Sequence, residues 1–220
     1  MEQTIKENSI TQGVIWKQLL IFFFPILIGT FFQQLYNTVD TIVVGQYVGT
    51  QALAAVGTTG TLINLLVGFF VGVSSGTTVI ISQFFGAGDA KNVSKAVHTS
   101  IALALVGGLI IMVLGLLTAR PSLELLGVPQ EIMGDALTYV NVYYAGIIAC
   151  MVYNVGTGVL RAIGDSRMPL YVLIVCCLVN IVLDLLFVLM FHWGVFGVAI
   201  ATALSQVVSA VLIMLRLMLT

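Results

Sequence analysis

Charge is what this chain has least of. Only 8 of its 220 residues are Lys or Arg and 9 are Asp or Glu, together 8%, where a soluble domain carries about 25%. An ordinary water-facing surface cannot be built from that supply. A nucleic-acid partner is not expected either, because the net charge is −1 and no cluster of Lys and Arg is present to neutralise phosphates. The three cysteines, Cys150, Cys176 and Cys177, all fall in apolar stretches and two are adjacent. A disulfide framework is therefore not expected, and buried small side chains are the plainer reading. No organic cofactor, dedicated metal site or enzymatic activity is expected. A cleavable signal peptide is also not expected: the polar start (Glu2, Lys6, Glu7, Lys17) runs into an apolar stretch too long for a signal core and without a small-residue cleavage site.

What is abundant is apolar residues, at 60% of the chain, with a mean hydropathy of +1.13. Crossing a hydrocarbon core about 30 Å thick takes about 20 such residues in a helix. Six stretches qualify, at residues 16–39, 53–81, 96–118, 137–160, 168–190 and 196–216. None alternates with the period of a barrel strand, so an all-α polytopic membrane protein is expected, its backbone satisfied within each helix. Turn residues separate the spans: Gly45–Gly49, then Gly86 to Asp89, then Pro121 with Gly127 and Pro129. Gly164-Asp165 with Pro169 marks the fourth connection, and Gly194 with Gly197 the fifth. Ser122–Asp135 is too polar to span and reads as a solvated loop or a short interfacial helix. In the second case Leu123, Leu125, Leu126, Val128 and Ile132 would face the headgroups.

The few basic residues set the orientation. Lys6, Lys17, Lys91, Lys95, Arg161, Arg167 and Arg216 fall on one side of such a six-span chain, and Arg120 alone on the other. The positive-inside rule puts both termini in the cytoplasm of a cell whose plasma (inner) membrane holds the protein.

Glycine collects in the second span, where Gly57, Gly60, Gly68, Gly72 and Gly76 are interleaved with Ser and Thr. Close helix packing is the plainer expectation, contact with a solute the other. Pro25, inside the first span, removes a backbone hydrogen bond and is a candidate hinge or a static kink.

Two residues stand against this apolar background. Asp40 and Asp184 lie within or at the end of spans, where an ionisable group costs at least about 2.5–3.5 kcal/mol and demands a partner, water or a proton. Asp40 shares one helix face with Gln33, Tyr36 and Asn37, at steps of three and four. Asn180 lies one turn before Asp184. The fourth span adds Tyr139, Tyr143 and Asn154, and the sixth adds Thr202, Ser205 and Gln206. Polar faces on several spans suggest a shared interior cavity holding an ion or proton site. Isolated interhelical bonds, worth about 0.6 kcal/mol each, would serve for single residues, and Asp40 could reach water at the outer end of its span. A third use of paired aspartates is proteolysis within the membrane, and Gly86-Ala87-Gly88-Asp89 has the Gly-x-Gly-Asp form. Yet that aspartate lies in a turn beside Lys91 and Lys95, on the opposite side from Asp40.

At this point the chain resembles a known family, the MATE (multidrug and toxic compound extrusion) transporters. The resemblance is carried by Gln33-Gln34-Leu35-Tyr36-Asn37-Thr38-Val39-Asp40, by Ala52 to Gly57, and by Ser82-Gln83 with Gly86 to Asp89. The strongest part is Gly158-Val159-Leu160-Arg161-Ala162-Ile163-Gly164-Asp165-Ser166-Arg167-Met168-Pro169, followed by Asn180, Asp184, Thr202 and Gln206. An aspartate on the first span with Asn180 and Asp184 on the fifth is similar to the DinF-type branch. The resemblance implies a proton-coupling site of Asp40, Asn180 and Asp184, with sodium as the other possible ion. Thr202 and Tyr139 would be neighbours, and Gln33, Tyr36, Asn37 and Asn154 supporting polar residues. It also implies export of small organic cations or amphipathic compounds. Family members have roughly twice as many spans, in two lobes. Residues 1–15 are then expected to be a cytoplasmic segment, 16–216 an N-terminal lobe, and 217–220 the start of a connection to a second lobe or homodimer partner. A membrane subunit or scaffold without transport of its own is the competing expectation.

Overall fold

The structure, a computed structural model, describes residues 15–219; the expected segment 1–15 lies almost wholly outside them. Six helices fill it: α1 (Ile15–Val43), α2 (Thr50–Gly86), α3 (Ala90–Leu125), α4 (Met133–Ala162), α5 (Arg167–Leu185) and α6 (Gly194–Met218). All six are long and apolar enough to cross a membrane, and each expected span lies within its helix or that helix's continuation. With 37 residues, α2 is about 55 Å long at 1.5 Å per residue. It either tilts or stands beyond the hydrocarbon at its ends.

The connections are short because single residues take the conformations that turning requires. The π-helical turn Val44–Val48 prolongs α1 and ends at Gly49, whose φ of 120° favours a residue without Cβ. A second π-helical turn, Leu186–Met190, prolongs α5. Between α2 and α3, Gly88 has φ 72° and Asp89 caps α3, accepting from the Asn92 backbone at 3.1 Å and from Asn92 Nδ2 at 2.6 Å. The aspartate of the Gly-x-Gly-Asp string is thus committed to a helix end.

The third connection corrects the sequence expectation. Helix α3 continues through Pro121 to Leu125, and Leu123, Val128 and Ile132 are buried in the main core instead of facing headgroups. Leu123 continues the stripe Ala104, Gly108, Gly115 and Ala119, the buried face of α3. Pro121 points outward, where its missing N–H disturbs no packing. Only Leu125 and Leu126 are exposed as an interfacial helix would require.

Helix α4 is the centre of the lobe, packed on α2, α3 and α6; α6 packs in turn on α5, and α5 on α1. At the rim, α1 presents Phe23, Phe24 and Phe31 to the outside, while the Phe22 side chain lies outside the described residues. The glycines of α2 are a second correction. A Cβ at Gly57, Gly60, Gly68, Gly72 or Gly76 would meet nothing, so they do not pack inside this lobe. The close α2–α4 approach is made instead by Ser74 and Thr78 against Gly158, with Ser74 Oγ donating to the Asn154 carbonyl at 2.7 Å.

Candidate functional site

Alternating spans make α1 and α5 run in the same direction, so the carboxyls near their ends come to one level. Asp40 and Asp184 face a common partner. Asn180, one turn before Asp184, lies between them. With its amide nitrogen turned inward it donates to Asp184 Oδ2 and Asp40 Oδ1, both at 3.0 Å. Asn180 and Asp184 are fully buried and Asp40 is 9% exposed. Neither aspartate has an ion-pair partner among the described residues.

Tyr36 of α1, Tyr139 of α4 and Thr202 of α6 close the group. Both tyrosines lie beside both carboxyls and turn their hydroxyls toward Thr202. Thr202 Oγ1 nevertheless makes no hydrogen bond, and neither does Asp184 Oδ1. Four helices thus supply one residue each or more to a single buried polar group.

Three residues expected to support it lie elsewhere. Gln33 and Asn37 share the Asp40 face of α1 but are exposed. Because α1 rests on α5 at the rim of the lobe, only part of its circumference is covered. Asn154 donates to the Cys150 carbonyl at 2.8 Å and approaches Cys150 Sγ at 3.4 Å, in a second polar group with Tyr143. Helix α1 runs unbroken through Pro25. One buried polar residue of α6 and one of α4 were not singled out in the sequence. Ser209 donates to Cys176 Sγ at 2.6 Å, and Thr157 lies one turn beyond Tyr153; each continues a helix face already polar, at the same i+4 step.

Chemically, two carboxyls facing each other in a buried site cannot both be ionised without strong repulsion. A hydrogen bond from one to the other would require a proton on one of them. The arrangement can hold a proton, release it and take it back, with Asn180 steadying whichever oxygen carries the charge.

The MatE family model matches residues 25–186. The probable multidrug resistance protein YpnP of Bacillus subtilis is 31% identical over 202 residues, covering 92% of this chain and 45% of that protein. The probable multidrug resistance protein YoeA of the same organism is 29% identical over 223 residues, covering 98% and 48%. A solved MOP superfamily transporter from Pyrococcus furiosus Vc1 superposes with a TM-score of 0.90 at 31% identity, covering 98% of this chain and 48% of that one. The chain spans about half the length of the curated relatives it matches. With most of its length matched by one family and its six helices superposing on half of a transporter, it belongs to the MatE family, whose members are transporters.

Proposed function

We propose that this chain is the ion-coupling lobe of an antiporter of the DinF type, exporting small organic cations or amphipathic compounds in exchange for protons. The carrying observation is that Asn180, with its amide nitrogen turned inward, donates to both Asp40 and Asp184, bringing carboxyls of two helices to one donor. Both termini face the cytoplasm, and the substrate passes between this lobe, residues 16–216, and a second six-helix lobe or a second copy of the chain. Relatives named as multidrug resistance proteins support the substrate class.

Loss of the proton converts a hydrogen-bonded pair into two repelling charges, so the α1–α5 contact has two packings with a proton choosing between them. Pro25 gives α1 a point at which to bend. Inward movement of one charge across 100 mV releases about 2.3 kcal/mol, enough for a roughly 50-fold solute gradient at about 1.4 kcal/mol per decade.

Ethidium efflux from proteoliposomes, with the lobe in the smallest form that transports, tests the reading. Efflux should follow an imposed inward proton gradient and be lost in both Asp40→Asn and Asp184→Asn. Efflux driven by sodium alone would assign the same oxygens to sodium, with the Asn180 oxygen turned inward. Persistence in both variants would sink the coupling site and favour a subunit without transport of its own.

A further inference from the structure

Away from the carboxyl pair, a second run of buried polar side chains follows the α4–α6 contact, and we propose that it conducts protons between Asp184 and the Arg161 end of the lobe. The proposal rests on the proton reading of the site given above.

The run follows one face of α4. Tyr143, one turn along α4 from Tyr139, lies beside it and reaches both Gln206 of α6 and Cys150, its hydroxyl 4.0 Å from Cys150 Sγ. Tyr153, one short step beyond Cys150, turns toward Thr157, one turn before Arg161 at the end of α4. Positions 139, 143, 150, 153, 157 and 161 are separated by steps of three, four and seven, which keeps them on one face of the helix. Packing is tight on either side: Gly146 lies against Ala203, and a Cβ on Gly156 would collide with Ile213.

A second observation points to water in this seam. Among the described residues, three buried side-chain oxygens have no hydrogen-bond partner: Asp184 Oδ1, Thr202 Oγ1 and Thr157 Oγ1. All three belong to the carboxyl site or the seam, two at its start and one near its far end. Their residues are at most 6% exposed. Buried oxygens of this kind are satisfied by water that makes two to four such contacts.

A proton leaves the carboxyl pair through Asp184 for water held at Thr202. The hydroxyls of Tyr139 and Tyr143, the Cys150 thiol and the hydroxyls of Tyr153 and Thr157, with water between them, each accept one proton and pass on another, and an equal charge emerges into water beside Arg161. Only O–H and S–H bonds are made and broken. The fixed positive charge of Arg161 disfavours a resting sodium ion or hydronium at that mouth, so the seam passes protons without storing a cation.

Hydrogen–deuterium exchange of the carboxyl infrared band, followed after mixing protein in nanodiscs with deuterated buffer, tests the route. Gln206→Leu and Thr157→Val should each slow exchange about ten-fold, the effect of raising a barrier by about 1.4 kcal/mol, without changing the band's size. Thr59→Val, which removes a buried hydroxyl of α2 outside the seam, should leave the rate unchanged. A normal rate in both seam variants would overturn the route while leaving the proton site standing. If Asp184→Asn removes no carboxyl band at all, the site itself is wrong and the route falls with it.

Discussion

Asp40 and Asp184 stand against each other, and each lies within about one turn of a π-helical segment, Val44–Val48 after the first and Leu186–Met190 after the second. The two segments also touch. A π-helical turn widens the helix and loosens its hydrogen-bond ladder, and such turns recur at functional sites. Here two of them sit beside the buried carboxyl pair. A change in the repulsion between the aspartates therefore acts on the parts of α1 and α5 least committed to regular geometry, while α4 and α6 hold the other side of the site.

The orientation is tested by thiol labelling in intact cells, in a background lacking the three native cysteines. Lys91→Cys and Arg167→Cys should react only with reagents that enter the cytoplasm, and Glu131→Cys only with impermeant reagents outside. Reversed reactivity would remove the positive-inside assignment.

Asn180→Ala takes a donor from two buried carboxyl oxygens at once. Leaving such groups unsatisfied costs about 1–3 kcal/mol, read as a lower thermal midpoint in detergent. Combining it with Asp184→Asn should cost less than the sum, since one of the orphaned oxygens is then replaced by an amide. Full additivity would mean that Asn180 does not bridge the pair.

Gly115→Ala places a methyl group inside the ring of Tyr144. Separating α3 from α4 to relieve it should cost about 1–3 kcal/mol, and Tyr144→Leu in the same chain should restore much of the loss. Gly72→Ala, which meets nothing, should change stability by no more than about 1 kcal/mol.

Asp165 serves twice: Oδ1 accepts from the Met168 backbone at 3.0 Å and Oδ2 from Arg216 at 3.2 Å. Asp165→Asn keeps the helix-end bond and loses a half-exposed ion pair, worth no more than about 1 kcal/mol. Asp165→Ala loses both and should cost about 1 kcal/mol more. Equal losses would mean that the ion pair with α6 carries the whole effect.

Much of this was legible in the sequence because lipid imposes simple rules. Length and apolarity placed all six spans, and the i+4 spacing of Asn180 and Asp184 put them on one face before any contact was known. What spacing could not tell was which faces meet. Gln33 and Asn37 share the Asp40 face of α1 yet stay exposed, because coverage depends on α1 lying at the rim against α5. The glycines of α2 read as a packing stripe, but the α2–α4 crossing uses Ser74, Thr78 and Gly158. Leu123, Val128 and Ile132 looked interfacial because their segment is polar on average; Leu123 is buried because α3 outlasts its own hydrophobic run, and Val128 and Ile132 because the connection to α4 folds back onto the main core. Asn154 was polar at the right depth and turned to Cys150 instead.

The central claim is that Asp40 and Asp184 share a titratable proton, and infrared difference spectroscopy across a pH titration tests it most directly. The native protein should show a protonated carboxyl band that is lost as the pair gives up its proton. Asp184→Asn should abolish that band while helix content is unchanged, because Asn keeps the volume and hydrogen-bonding capacity and removes only the titrating group. A band of undiminished size in Asp184→Asn would contradict the account.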